Sequence, residues 1–293
     1  MWLVNTATLR LEFFNDADDV AYVILSHTWG PGEVVFEDMN DLDAARTKAG
    51  WDKIQTTCEI ASTHGYHFAW IDTCCIDKSS SAELSEAINA MFSWYRKAAL
   101  CYAYLSDLHL QPEADNLETS LRPCRWFTRG WTLQELIAPV NIHFYDASWN
   151  LVTSKHEATA VISRITGVDV AVLEDMTNLT EIPVGRRMAW ASQRQTTRVE
   201  DMAYCLLGIF DISMPPLYGE GHKAFLRLQE EVARQSNDLT LFAWEQEQAQ
   251  TLQYRAIFAK SPLEFRNCSY LKALPPRFDA ANEFSLTNRG LRI

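Results

Sequence analysis

Strand-like and helix-like segments alternate along the first 145 or so residues, and that alternation leaves few architectures open. Val20 to Ser26 is a short β-rich apolar run, closed by the turn chemistry of Trp29-Gly30-Pro31-Gly32. Trp51, Ile54, Cys58 and Ala61 then repeat at helical spacing, with His64-Gly65 placed as a helix C-cap would be. His67 to Thr73 reads as a second strand. Ser80 with Glu83 has the capping-box pattern and opens a helix whose one face carries Leu84, Ile88, Met91, Tyr95 and Ala98. Leu100 to Leu105 is a third strand, Gly130 and Pro139 bound a short helix, and Val140 to Tyr145 is a fourth strand. This order predicts an α/β fold, a mostly parallel, doubly wound sheet with flanking helices, in which ligands bind beyond the carboxyl ends of the strands.

After Trp149 the pattern turns helix-rich, with helices expected over 154–166, 187–195, 199–207 and about 221–236. Residues 111–124 read as a polar surface loop, 239–244 as a further strand, and 284–293 as a strand-turn unit cut short, as in the N-terminal piece of a longer protein. The expected division is a core over 1–150, a helical extension over 151–237 and a strand-containing segment over 238–293. The chain has 293 residues, enough for a large core with an attached lobe. Lys and Arg number 26 against 38 Asp and Glu, a net charge of −12 that disfavours a nucleic-acid binder. The N-terminus lacks a secretory pattern, and no apolar run approaches the ~20 residues of a membrane span. Seven cysteines, odd in number and mostly within apolar stretches, read as reduced thiols and hence a cytoplasmic protein.

Conventional chemistry lacks its parts. There is no GxGxxG, GxxxxGK[ST], HExxH, GxSxG or CxxC, and no metal site is expected. Cys74-Cys75 reads either as two packed thiols on opposite faces of a strand or as a nucleophile paired with His27 or His67. Ser26-His27-Thr28, at the end of a strand and followed by Trp29-Gly30, is better placed for ligand contact than for core packing. In Arg129 to Leu136, Trp131 and Glu135 are i and i+4 and share a helix face, while Leu133, Leu136 and Ile137 can face the sheet. Spacing alone does not decide whether Glu135 is a solvated or a working carboxylate. Arg186, Arg187, Arg194 and Arg198 form a basic cluster, read as a solvated helix face or as a surface for a partner or a nucleotide phosphate. The Phe225, Leu228 and Val232 stripe reads as core.

Several blocks carry a resemblance. Val23-Ile24-Leu25-Ser26-His27-Thr28-Trp29-Gly30, Trp70 to Lys78, Arg129-Gly130-Trp131-Thr132-Leu133-Gln134-Glu135, and Arg198 to Tyr204 with Tyr218-Gly219-Glu220-Gly221 resemble, in family order, the fungal heterokaryon-incompatibility (HET) domain. More remotely the chain is similar to the Toll/interleukin-receptor (TIR) fold, a flavodoxin-like arrangement. The TIR likeness rests on Trp131-Thr132-Leu133-Gln134-Glu135-Leu136 and then Phe144-Tyr145-Asp146. It implies an NAD⁺ glycohydrolase with Glu135 as catalytic carboxylate and NAD⁺ as substrate rather than cofactor. Ser26, His27, Thr28, Trp29, Gly30, Asp72, Lys78, Arg129 and Trp131 are then candidates for substrate binding. The resemblance further implies fungal non-self recognition and regulated cell death, a homo-oligomeric active state, and C-terminal fusion to a nucleotide-binding or repeat module. The alternative is a non-enzymatic death-signalling adaptor acting through homotypic contacts, with Glu135 structural.

Overall fold

The computed structural model describes residues 1–109, 116–246, 256–272, 285–287 and 290–292. A seven-stranded sheet is built from β1 (Trp2–Asn5), β2 (Leu11–Phe13), β3 (Val23–His27), β4 (Phe68–Ile71), β5 (Leu100–Tyr104), β6 (Ile142–Tyr145) and β7 (Leu151–Ser154), in the order β2-β1-β4-β3-β5-β6-β7. The central strands β4, β3, β5 and β6 are parallel, with Val23 opposite both Ala69 and Leu100. β1 and β7 run the other way, and β2, antiparallel to β1, points with the central four. The sheet is therefore mostly parallel, as the alternation predicts. Every residue of β3 is buried, which explains its unbroken Val-Ile-Leu run: a strand covered on both faces has no polar face to present.

In chain order the four parallel strands lie 2-1-3-4, the flavodoxin-like sequence. The chain leaves β3 on one side to form β4 and returns past it to form β5 on the other. The switch point thus falls at the carboxyl ends of β3 and β5, where an α/β sheet opens a crevice. α1 (Leu42–Ala45) and α2 (Trp51–Thr63) lie in the first crossover. α2 buries Trp51, Ile54, Cys58 and Ala61 and ends at His64, with Gly65 at φ +82°. α3 (Ser81–Lys97) fills the second crossover and buries Ala87, Ile88, Met91 and Tyr95. The Ser80 side chain accepts from the Glu83 N–H, but the Glu83 carboxylate takes the N–H of Asp77 instead, so only half of the capping box forms. α4 (Leu117–Leu121) and α5 (Thr132–Ile137) precede β6.

The second half holds α6 (Thr159–Thr166), α7 (Val170–Glu174), α8 (Val184–Trp190), α9 (Asp201–Tyr204), α10 (Leu207–Phe210) and α11 (Lys223–Gln235), with a hairpin of β8 (Ser285–Thr287) and β9 (Gly290–Arg292). Phe225, Leu228 and Val232 of α11 are core residues, as their spacing predicts.

Several local expectations are corrected. Within the expected 111–124 loop, residues 116–124 contain α4, capped by the Asn116 side chain, while 111–115 lie outside the described residues. The helix expected from Ser154 starts at Thr159, because the Glu157 carboxylate accepts from both the N–H and the hydroxyl of Ser154 and holds the segment in a turn. Residues 239–244 are not a strand. Asp238 caps a 3-10 helix over Leu239–Phe242 with one carboxylate oxygen and receives the Val184 N–H with the other. The expected 199–207 helix is two short helices, α9 and α10, and 187–195 is replaced by α8. Cys74 and Cys75 sit in the turn after β4 rather than on the strand. No helix among the described residues is long and apolar enough to cross a membrane.

Candidate functional site

A cavity of about 400 Å³ opens over the carboxyl ends of β3 and β4. Glu135, in the first turn of α5, belongs to its lining and is only 5% exposed. This excludes the solvated-surface reading. Burial is the main force on its carboxyl group, with the Asp72 charge adding to it, and together they push its pKa up to about 8. Ser26, Arg129 and Tyr95 act in the opposite direction.

Neighbouring elements fix Glu135 in place. Ser26 and His27 are consecutive on β3 and so point to opposite faces of the sheet. The Ser26 hydroxyl donates to Glu135 Oε2 and accepts from Trp126 Nε1 at 2.7 Å. Ser26 is thus fully buried behind the carboxylate. His27 turns the other way, with Nε2 2.9 Å from Asp72 Oδ1 and Nδ1 3.0 Å from Lys53 Nζ. An ammonium has only donors, so Nδ1 accepts and the Nε2–H donates to Asp72. Lys53 is itself ion-paired with Glu33. Asp72 Oδ2 accepts from Trp29 Nε1 at 2.8 Å. Burial works against the Asp72 carboxylate, but His27, Lys78 and Trp29 outweigh it and hold its pKa below the ordinary value.

Aromatic rings and cations form the rim. Lys78 Nζ stands 4.0 Å from the Trp29 ring centroid, and Arg125 Nη1 donates to the Trp29 carbonyl at 3.3 Å. Burial lowers the Lys78 pKa. Of the residues singled out in the sequence, His27, Trp29, Asp72, Lys78, Arg129, Trp131 and Glu135 meet in this one lining. Ser26, Thr28 and Gly30 do not, Ser26 because it is fully buried beneath Glu135. Thr28 is buried with its hydroxyl 3.4 Å from that of Ser106, and the Gly30 N–H donates to the Glu33 carboxylate at 2.7 Å.

The second half of the chain closes the cavity with Thr197, Arg198, Asp201 and Tyr218. Sequence reasoning placed none of these at the site, although Arg198, Asp201 and Tyr218 stand in blocks that carry the family resemblance. The basic cluster is not a solvated helix face. Arg186 pairs with Asp169 at 2.6 Å, Arg187 donates to the Ile209 carbonyl at 2.9 Å, and Arg194 donates to the Arg129 carbonyl at 2.7 Å and to Thr132 Oγ1 at 2.9 Å. Only Arg198 reaches the cavity. All seven cysteines are unpaired and buried, and the Cys75 thiol beside it, together with burial, drives the Cys74 thiol far above its ordinary range. A thiolate nucleophile at Cys74 is therefore disfavoured.

The sequence model of the family described as heterokaryon incompatibility protein (HET) matches residues 22–120, from β3 through α4. The vegetative incompatibility protein HET-E-1 of Podospora anserina is 46% identical over 220 residues, which cover 73% of this chain. The match spans 16% of that protein's length. No solved structure matches the chain. The HET match runs through β3 and β4, whose ends carry His27 and Asp72, and together with the 46% identity it shows that the chain belongs to the HET family.

Proposed function

We propose that the chain is the effector part of a fungal non-self recognition protein and that it triggers cell death by cleaving the nicotinamide–ribose bond of NAD⁺. The vegetative-incompatibility role comes from the name of its Podospora relative. The reaction is our reading of the site, and one observation carries it: a buried carboxylate, Glu135, held by Ser26 in a cavity that also presents Trp131, Trp29, Lys78 and Arg129.

Bond cleavage sends the C–N electron pair to the ring nitrogen, so nicotinamide departs neutral without a general acid, and positive charge develops on the ribose. Glu135, itself buried, stabilises that charge. Water then bonds to the anomeric carbon and loses a proton, yielding ADP-ribose. In its ionised form Glu135 is able to receive that proton, since burial raises its pKa to about 8. The ionised form is the working one, and the pyridinium cation of the substrate favours it on binding. Trp131 offers a surface to a planar base, and Lys78, Arg125 and Arg129 offer donors to the pyrophosphate.

Self-assembly of protomers is the proposed trigger, within a longer chain that supplies the signal. The test is to incubate the protein with NAD⁺ from micromolar to high concentration, with and without crowding agent, and to follow nicotinamide by chromatography. Release that rises more steeply than protein concentration is expected. No release under any of these conditions would overturn the enzymatic reading.

A further inference from the structure

One wall of the cavity has no part in the chemistry above, the wall supplied from beyond residue 190. Asp201, the first residue of α9, is 8% exposed and accepts from Tyr218 Oη at 2.9 Å. The Arg198 guanidinium carbon stands 4.4 Å from the Tyr218 ring centroid, so the ring is held from two sides. Trp131 belongs to the same lining. Two groupings result. Lys78 and Arg125 gather on Trp29, whose Nε1 also donates to Asp72, whereas Glu135, Asp201, Trp131 and Tyr218, with Arg198 set against the Tyr218 ring, bring two carboxylates and two aromatic rings to the cavity. A flat cation suits carboxylates and ring faces, and an anion suits the Trp29 cations.

We infer that Asp201 and Tyr218 form the subsite for the base being expelled, and that this subsite selects a cationic N-substituted pyridinium over a neutral base. The inference rests on reading the cavity as an NAD⁺ site and assigns the orientation of the substrate within it, pyridinium toward Asp201 and pyrophosphate toward Trp29. It also explains product departure. The ring is cationic while bonded to ribose and neutral once the C–N electron pair has moved to its nitrogen, so the attraction to Asp201 vanishes in the step that creates the leaving group. Glu135 acts on the ribose and Asp201 on the ring, so the two carboxylates have separate tasks.

1-Methylnicotinamide is a pyridinium cation without a ribose, and nicotinamide is its neutral counterpart. Titrating each into the protein, followed by NMR, reads the subsite without any turnover. Burial raises the Asp201 pKa, so the titrations are run at pH 8. The wild-type protein is expected to bind the cation about tenfold more tightly than the neutral base. Asp201→Asn should bring that ratio close to one, and Tyr218→Phe, which keeps the charge, should retain most of it. An unchanged ratio in Asp201→Asn, or no preference in the wild type, would overturn the assignment. Should Asp201→Asn fail to fold, the wild-type ratio at low and high salt decides, since a charge-based preference must shrink as salt rises. Cation preference without nicotinamide release from NAD⁺ would retain the subsite and remove the hydrolase reading, and release without cation preference would do the reverse.

Discussion

Replacing Glu135 by Gln should stabilise the protein increasingly as pH rises, by an amount set by the burial of the carboxyl group. The ordinary carboxyl value is 4.5 and the folded value about 8. The folded state therefore holds the proton more tightly than the unfolded chain. The resulting advantage is complete below pH 4.5 and is lost progressively as pH climbs through the window between the two values. From the linkage relation, the loss is about 1 kcal/mol at pH 5 and about 5 kcal/mol at pH 9. Gln mimics the neutral acid in shape and has no proton to lose, so subtracting the two unfolding curves isolates Glu135 from every other titrating group. The difference in unfolding free energy between variant and wild type should grow by about 4 kcal/mol from pH 5 to pH 9. At about 2 °C per kcal/mol for a chain of this size, the melting-temperature gap should widen by about 8 °C. Urea denaturation at both pH values provides the free energies, and differential scanning calorimetry the temperatures. A gap constant with pH to within about 0.5 kcal/mol would refute the buried, proton-holding state of Glu135.

Other perturbations probe the surroundings of that carboxylate. Ser26→Ala removes the donor to Glu135 and leaves Trp126 Nε1 without its acceptor, so urea denaturation should show a loss of about 1 to 3 kcal/mol. The same change should move the rising limb of the kcat/KM profile to higher pH, because Ser26 favours the ionised carboxyl. Gly130→Ala places a methyl 2.4 Å from Thr196 Cγ2, where the strand-like pairing of Arg129 with Gln195 brings the two segments together. A loss of about 1 to 3 kcal/mol is expected, partly restored by Thr196→Ser, which removes that methyl. Arg194→Met abolishes two hydrogen bonds to the segment that opens α5, and a drop of about 1 to 3 kcal/mol in denaturant stability should accompany it. Nicotinamide release should fall in Arg194→Met even where circular dichroism reports a native spectrum, since Thr132 and Glu135 share the same short helix.

The legible parts of the sequence were those where one local rule acts alone. β3 announced itself because a strand covered on both faces is apolar where it packs, as Val23 to Leu25 are, and α2 because its stripe and its Gly65 stop agree. The apolar run over 239–244 misled, since an apolar run in isolation does not distinguish a strand from a buried turn, and Asp238 provides the cap that settles it. The outer strands β2 and β7 and the neighbouring β1 are short and only partly covered, so their alternation spans too few residues to register. Glu135 was visible as a candidate but not as a buried one, because its burial depends on Ser26, Trp126 and Tyr95, which lie 109, 9 and 40 residues away in sequence. Asp201 and Tyr218 were invisible for the same reason: nothing local says that the segment after α8 returns to the ends of β3 and β4. The arginine cluster likewise reads as surface until its acceptors, mostly backbone carbonyls, are located.

The role proposed for Glu135 is chemistry on NAD⁺. Its most direct test is the initial rate of nicotinamide release at pH 8 by wild type and Glu135→Gln at equal, assembly-competent concentration, with both proteins verified as folded by calorimetry. The wild type is expected to release nicotinamide and the variant to do so at least about 100-fold more slowly, the loss expected when charge stabilisation at a transition state is withdrawn. Equal rates in the two proteins, or no release by the wild type, would contradict that role.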